Sequence, residues 1–110
     1  MTTLDVSIGA ARGRTWIKPS GELDLSTADD LEKRIREIEV TGAPEIVLDL
    51  RGITFMDSTG LRLVIAADDR ARGDGRSLLL VKGPENVHRV FRVALLDRRL
   101  DFIDEGEAST

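Results

Sequence analysis

The sequence contains no cysteine and a single histidine, His88. Without cysteine there is no disulfide framework, no thiolate nucleophile and no thiolate metal site, and the absence fits a reducing compartment. One imidazole leaves a zinc site short of ligands. A Ser-His-acid triad would have to use that same ring, and no Gly-x-Ser-x-Gly elbow is present to expose a serine. Walker-type phosphate loops and Gly-x-Gly-x-x-Gly turns are also missing. No stretch approaches the roughly 20 apolar residues of a membrane span. The opening Met1-Thr2-Thr3-Leu4-Asp5 has neither the basic start nor the apolar run of a secretory signal. The expectation is a cytoplasmic protein with no membrane contact, no cofactor and no metal. Positive charge is in short supply too. A formal net charge of -4 argues against a nucleic-acid binder whose affinity comes from covering phosphates with Lys and Arg.

What is present is an ordinary globular composition, 41% hydrophobic and 33% charged over 110 residues. That suits a single domain, 1–110, with its core over about 4–103 and a mobile acidic tail at 104–110. Leu4, Val6 and Ile8 alternate with polar neighbours, and Thr15-Trp16-Ile17-Lys18 resumes after a turn between Gly9 and Gly13. The pattern predicts a hairpin of two short strands ended by Gly21. Trp16 then points away from the face that buries Ile17, covered or forming a second contact patch. Ser26 is the expected N-cap of a helix with Asp29, Asp30 and Glu32 in its first turns and an apolar stripe of Ala28, Leu31, Ile35 and Ile38. Gly42 and Pro44 end it.

The apolar run from Ile46 to Leu50 reads as a central strand buried on both faces. A helix starts near Ser58 and carries Leu61, Val64 and Ile65. Ser77 to Val81 reads as another buried strand, and Gly83-Pro84 opens a third helix with Pro at its first position. Val87, Val90, Phe91, Ala94 and Leu95 are its expected buried side, and His88 its surface. The residues from Leu100 to Ile103 suggest a short edge strand. Asp29-Asp30, Asp68-Asp69 and the basic cluster Arg89, Arg92, Arg98 and Arg99 read as solvated charge. Strands alternating with helices call for an α/β layer, the opening hairpin making a mixed, mostly parallel sheet.

One segment invites a functional reading: Phe55-Met56-Asp57-Ser58-Thr59-Gly60-Leu61 places two hydroxyls and a glycine where a loop becomes a helix. Either Asp57 or Ser58 caps the helix and Gly60 allows close packing. Or Ser58 is an exposed kinase acceptor whose phosphate lies against unpaired N–H groups at the positive helix end. Arg62, one turn in, reads as a solvated side chain, a partner-carboxylate contact or a phosphate contact. A small hydrolase using Ser58 is a third possibility.

Gly21-Glu22-Leu23-Asp24, the buried strand ending at Leu50 and the Asp57-Ser58-Thr59-Gly60-Leu61 stretch, in this order and spacing, resemble the STAS domain of bacterial anti-sigma factor antagonists. The resemblance runs from about Val6 to Ile103. It implies a STAS-like layer, a mostly parallel sheet of four or five strands with helices mainly on one face. It also implies a non-enzymatic partner switch in which the unmodified protein binds an anti-sigma factor that is a serine kinase, so that sigma factor is released. Phosphorylation at the position matching Ser58 ends the interaction and a serine phosphatase restores it. Asp24, Asp57, Ser58, Thr59, Gly60, Leu61 and Arg62 are the implied partner-binding residues. The alternative is a STAS-like docking or scaffold module of a transporter, lipid-trafficking or stress-sensing complex without a Ser58 switch. Two departures stand out: Arg62 replaces a frequent glycine, and Ala94-Leu95-Leu96-Asp97-Arg98-Arg99 replaces a small or glycine-containing segment. Self-association is left open.

Overall fold

A computed structural model of the protein describes residues 3–104; the expected tail lies, but for Asp104, outside the described residues. The elements follow in the order β1 (Leu4–Ala11), β2 (Arg14–Leu23), α1 (Ala28–Val40), β3 (Glu45–Asp49), β4 (Ile53–Met56), α2 (Ser58–Gly73), β5 (Ser77–Val81), α3 (Glu85–Val93) and β6 (Asp101–Ile103). The hairpin closes at Arg12 and Gly13, both at positive φ, 55° and 76°, as the two-residue type I′ turn demands. Its strands are long, 8 and 10 residues, contrary to expectation. Gly21 does not end β2. It sits at φ 124°, where the register shifts between Gly21 and Glu22, and the resulting bend lets one strand serve two partners. Residues 15–17 pair with β3, and residues 21–23 pair with β4.

The strand order is β1-β2-β3-β5-β6 with β4 beside the far half of β2, and only the β1–β2 pair is antiparallel. The α/β class and the mixed sheet are as read from the sequence. The count is six strands rather than four or five, because the four residues of β4 form a strand of their own. Three crossovers, β2 to β3, β3 to β5 and β5 to β6, all step the same way across the sheet. Right-handed connections therefore lay all three helices on one face. The main core there joins Ile17, Leu48 and Leu80 to Leu31, Ile35, Val64, Val87 and Phe91, each full burial stabilising by roughly 1.5–3 kcal/mol. On the helix-free face Trp16 is buried with Val47 and Val81, so the coverage expected for the indole is what the structure shows.

Other boundaries differ from the sequence reading for local reasons. Helix α1 is capped at Thr27, not Ser26. The Thr27 Oγ1 donates to Glu22 O at 2.7 Å and accepts the Asp24 N–H at 3.0 Å, which fixes the turn into the helix. Pro84 is the cap of α3 rather than its first residue. His88 is buried: its ring meets Phe102 edge-on with centroids 4.9 Å apart and lies 6.1 Å from Phe91. Burial, with Lys82 and Arg92 nearby, pushes its pKa down, so the imidazole is neutral at pH 7.

Ala94 and Leu95 are exposed, contrary to expectation. Helix α3 ends in a Schellman turn, with Leu96 N–H on Phe91 O at 2.9 Å and Leu95 N–H on Arg92 O at 3.0 Å. Leu95 thereby occupies the left-handed position, φ 60°, with its side chain 82% exposed. Glycine adopts that conformation without the Cβ penalty, roughly 1–2 kcal/mol for an L-residue. Leu95→Gly is therefore expected to raise stability by about 0.5–1 kcal/mol after the greater flexibility of unfolded glycine is subtracted. Thermal melts that show no increase, or a decrease, would mean that the leucine is held by packing instead.

Candidate partner-binding site

The register of the parallel β2–β4 pair builds the site. Leu23 lies opposite Met56, so Asp24 and Asp57 leave the sheet side by side, about 4.8 Å being the spacing of adjacent strands. The Asp57 N–H donates to Leu23 O at 3.4 Å. One end of the sheet thus carries two acidic turns, the first leading into α1 and the second into α2.

Asp57, in extended conformation, is the N-cap of α2. Its Oδ1 accepts the Thr59 N–H at 2.9 Å and the Gly60 N–H at 3.4 Å, and its carbonyl accepts the Leu61 N–H at 3.2 Å. This resolves which residue caps the helix. It also corrects the expectation of free amides awaiting a phosphate: of the four N-terminal N–H groups only that of Ser58 has no protein acceptor among the described residues. Ser58 itself is exposed, Thr59 and Leu61 are half-buried, and Arg62 is exposed. Gly60 is buried. A Cβ there would meet Met56 Cγ at 2.6 Å and Leu23 Cγ at 2.9 Å. The glycine is what allows the first turn of α2 to sit directly on the strand ends that carry the two aspartates.

Asp24 closes the neighbouring turn. Its Oδ1 accepts from Ser26 Oγ at 2.7 Å and from the Ser26 N–H at 2.9 Å. The Ser26 hydroxyl holds the Asp24 carboxyl below its ordinary pKa, so it is anionic at neutral pH. The structure therefore brings Asp24 and the segment from Asp57 to Arg62 to one end of the sheet. Sequence reasoning overlooked the exposed apolar side chains around them, Leu25 on the Asp24 turn (79% exposed) and Phe55 on β4 (47%). Two large apolar residues flanking the paired motifs were the available signal. Among the described residues no three His, Asp or Glu side chains form a metal-holding group, and none of the helices is long and apolar enough to cross a membrane.

A mostly parallel sheet with one helical layer, an acid-capped helix starting at a serine and a second acidic turn beside it define a domain of the STAS type. Residues 6–104 match the family model described as Mlab, STAS domain, and the chain belongs to the STAS domain family. A similar relative is the anti-sigma-B factor antagonist of Staphylococcus aureus, 28% identical over 90 residues that make up 82% of each protein. The crystal structure of an anti-sigma factor antagonist from Mycobacterium paratuberculosis superposes with a TM-score of 0.84 at 24% identity, covering 91% of this chain and 85% of that one. The unphosphorylated anti-sigma factor antagonist SpoIIAA does so with a TM-score of 0.77 at 24% identity, over 94% and 92% of the two chains.

Proposed function

We propose that this protein is an anti-sigma factor antagonist that binds an anti-sigma serine kinase while Ser58 is unmodified and lets go once Ser58 is phosphorylated. The observation that carries the reading is the exposed Ser58 hydroxyl on the first residue of α2, pinned by the Asp57 cap and standing beside the Asp24 turn. A kinase needs an acceptor hydroxyl that faces solvent, and a switch needs a protein that stays folded after the charge arrives. Hydrolysis by Ser58 has no support from the imidazole, whose ring is packed against Phe91 and Phe102 in the core. Nucleotide and magnesium belong to the kinase, and a serine phosphatase resets the switch in the cytoplasm.

The test is reaction with magnesium ATP and the anti-sigma kinase encoded in the same genome, followed by phosphosite mapping. One phosphate on Ser58, and none on Ser58→Ala, is the expected result; phosphate on Thr59 instead would overturn the assignment. Asp24→Ala is expected to weaken kinase binding by about 1–3 kcal/mol, the cost of an interface hydrogen bond or charge pair, with the circular dichroism spectrum unchanged. An equal dissociation constant would remove Asp24 from the surface.

A further inference from the structure

Most arginines of this acidic chain are already spoken for. Arg14 pairs with Glu45, Arg51 with Asp49, Arg70 with Glu32 and Glu39, Arg72 with Asp68, Arg76 with Asp74 and Arg92 with Glu85. Arg62 and Arg89 are exposed and have no acidic partner among the described residues. Arg89 lines a shallow groove of about 480 Å³ between the start of α2 and the outer side of α3, whose other walls are Leu61, Asn86, Val90, Val93 and Ala94. Arg62 follows Leu61 on α2. At i+3 and i+4 from Ser58, Leu61 and Arg62 lie on the serine's face of the helix, so the groove begins one turn from the phosphoacceptor. Asn86 ties α3 to the site's own strand through Nδ2 to Thr54 O at 2.9 Å.

The lip of this groove leaves apolar surface in water: Val93, one of its walls, is 76% exposed. An apolar channel with the cation Arg89 in its wall and the exposed Arg62 next to Leu61 in the chain, in a protein of net charge -4, is complementary to an amphipathic helix whose apolar residues are flanked by carboxylates. We infer that the α2–α3 groove receives an acidic, apolar-faced helix of the anti-sigma factor, with Arg62 and Arg89 as the residues that select it. The inference rests on the proposed function and supplies the partner chemistry that the acidic turns alone leave open. It gives Arg62 two competing acceptors. A phosphate on Ser58, four residues earlier on the same face, draws the guanidinium away from the partner's carboxylate.

The test uses the full chain and the purified kinase of the same genome, in calorimetric titrations at two salt concentrations. Four forms are compared: wild type, Arg62→Glu with Arg89→Glu, Arg62→Lys with Arg89→Lys, and Val93→Asp. These side chains are exposed, and melting curves check that each variant is folded. The charge-reversed form is expected to bind at least about a hundredfold more weakly, tenfold per reversed charge, and to lose the weakening by salt that wild type shows. Val93→Asp is expected to bind at least tenfold more weakly, while Arg62→Lys with Arg89→Lys retains most of the affinity. If wild type is bound and phosphorylated at Ser58 but the charge-reversed form binds with the same affinity and salt dependence, the groove assignment falls and the switch stands. If wild type is neither bound nor phosphorylated, the functional reading itself fails. Self-association of the free protein that Val93→Asp abolishes would place a second copy in the groove and overturn the acidic helix.

Discussion

Gly60→Val should lower the stability of the protein by about 3 kcal/mol, the upper end of the usual cost of overpacking a core. Helix propensity points the other way, since valine is a slightly better helix former than glycine, and a propensity argument would expect a gain of a few tenths of a kcal/mol. Sterics decide. The first added carbon already falls 2.6 Å from Met56 Cγ and 2.9 Å from Leu23 Cγ, and two branches follow it. Leu23 is wholly buried and Met56 nearly so, so neither can swing into solvent. The first turn of α2 must lift off the sheet, taking Ser58 with it. At roughly 4–8 °C per kcal/mol for a domain of this size, the melting temperature should fall by more than about 10 °C. Thr59→Ala should shift it by no more than about 2 °C, because Asp57 bonds to the backbone N–H of residue 59 and not to its side chain. Equal melting temperatures for wild type and Gly60→Val would show that the glycine has no steric task.

Ser58→Asp should weaken binding to the kinase at least a hundredfold, whereas Ser58→Ala should bind as tightly as the unmodified protein and accept no phosphate. Asp57 shares the turn with Ser58, and Asp24 leaves the adjacent strand at the same level, so a new anion enters a region already negative. Facing a partner carboxylate about 6 Å away, each added charge costs roughly 3 kcal/mol at an effective dielectric near 20. About 2.8 kcal/mol is a factor of a hundred in affinity. Phosphate carries about -1.5 to -2 charges and should exceed the aspartate. The helix dipole returns at most about 1 kcal/mol to the free form, and Asp57 already holds three of the four amides that would have delivered it. Titration of the phosphorylated protein and both variants against the kinase is the measurement, and equal affinity for the phosphorylated and unmodified forms would end the case for a switch.

How much of this was legible in the sequence depended on how local its cause was. The stripe of α1 is set by spacing within thirteen residues, and its four apolar positions are the buried ones. The strands from Glu45 and Ser77 announced themselves as apolar runs. The candidate site was read from the motif, and the structure explains its parts: Asp57 caps, Ser58 is exposed, Gly60 packs. Long-range partners escaped. Phe102 from β6 and Phe91 together enclose His88, so a histidine that looks peripheral on its own helix is in the core. Met56 and Leu23, 33 positions apart, make Gly60 irreplaceable in a way its own neighbours do not reveal. Leu95 was placed in the core as the continuation of the apolar side of the third helix, whereas the Schellman turn that exposes it depends on where α3 stops. The four residues of β4 are too few to show a period, and their pairing depends on the bend at Gly21.

The occupied cap bears on how long a signal lasts in the cell. Because the Asp57 carboxylate keeps the Thr59 and Gly60 amides, the phosphate of the proposed switch finds no backbone donor beyond the N–H of Ser58 itself and, held by at most the exposed Arg62, stands at the surface on an already exposed residue. A group so placed is within reach of a hydrolase without any local unfolding, and the domain beneath it stays intact. The modified pool should therefore act as a reserve that returns to service by dephosphorylation within existing molecules, making recovery time a property of phosphatase abundance rather than of new protein synthesis.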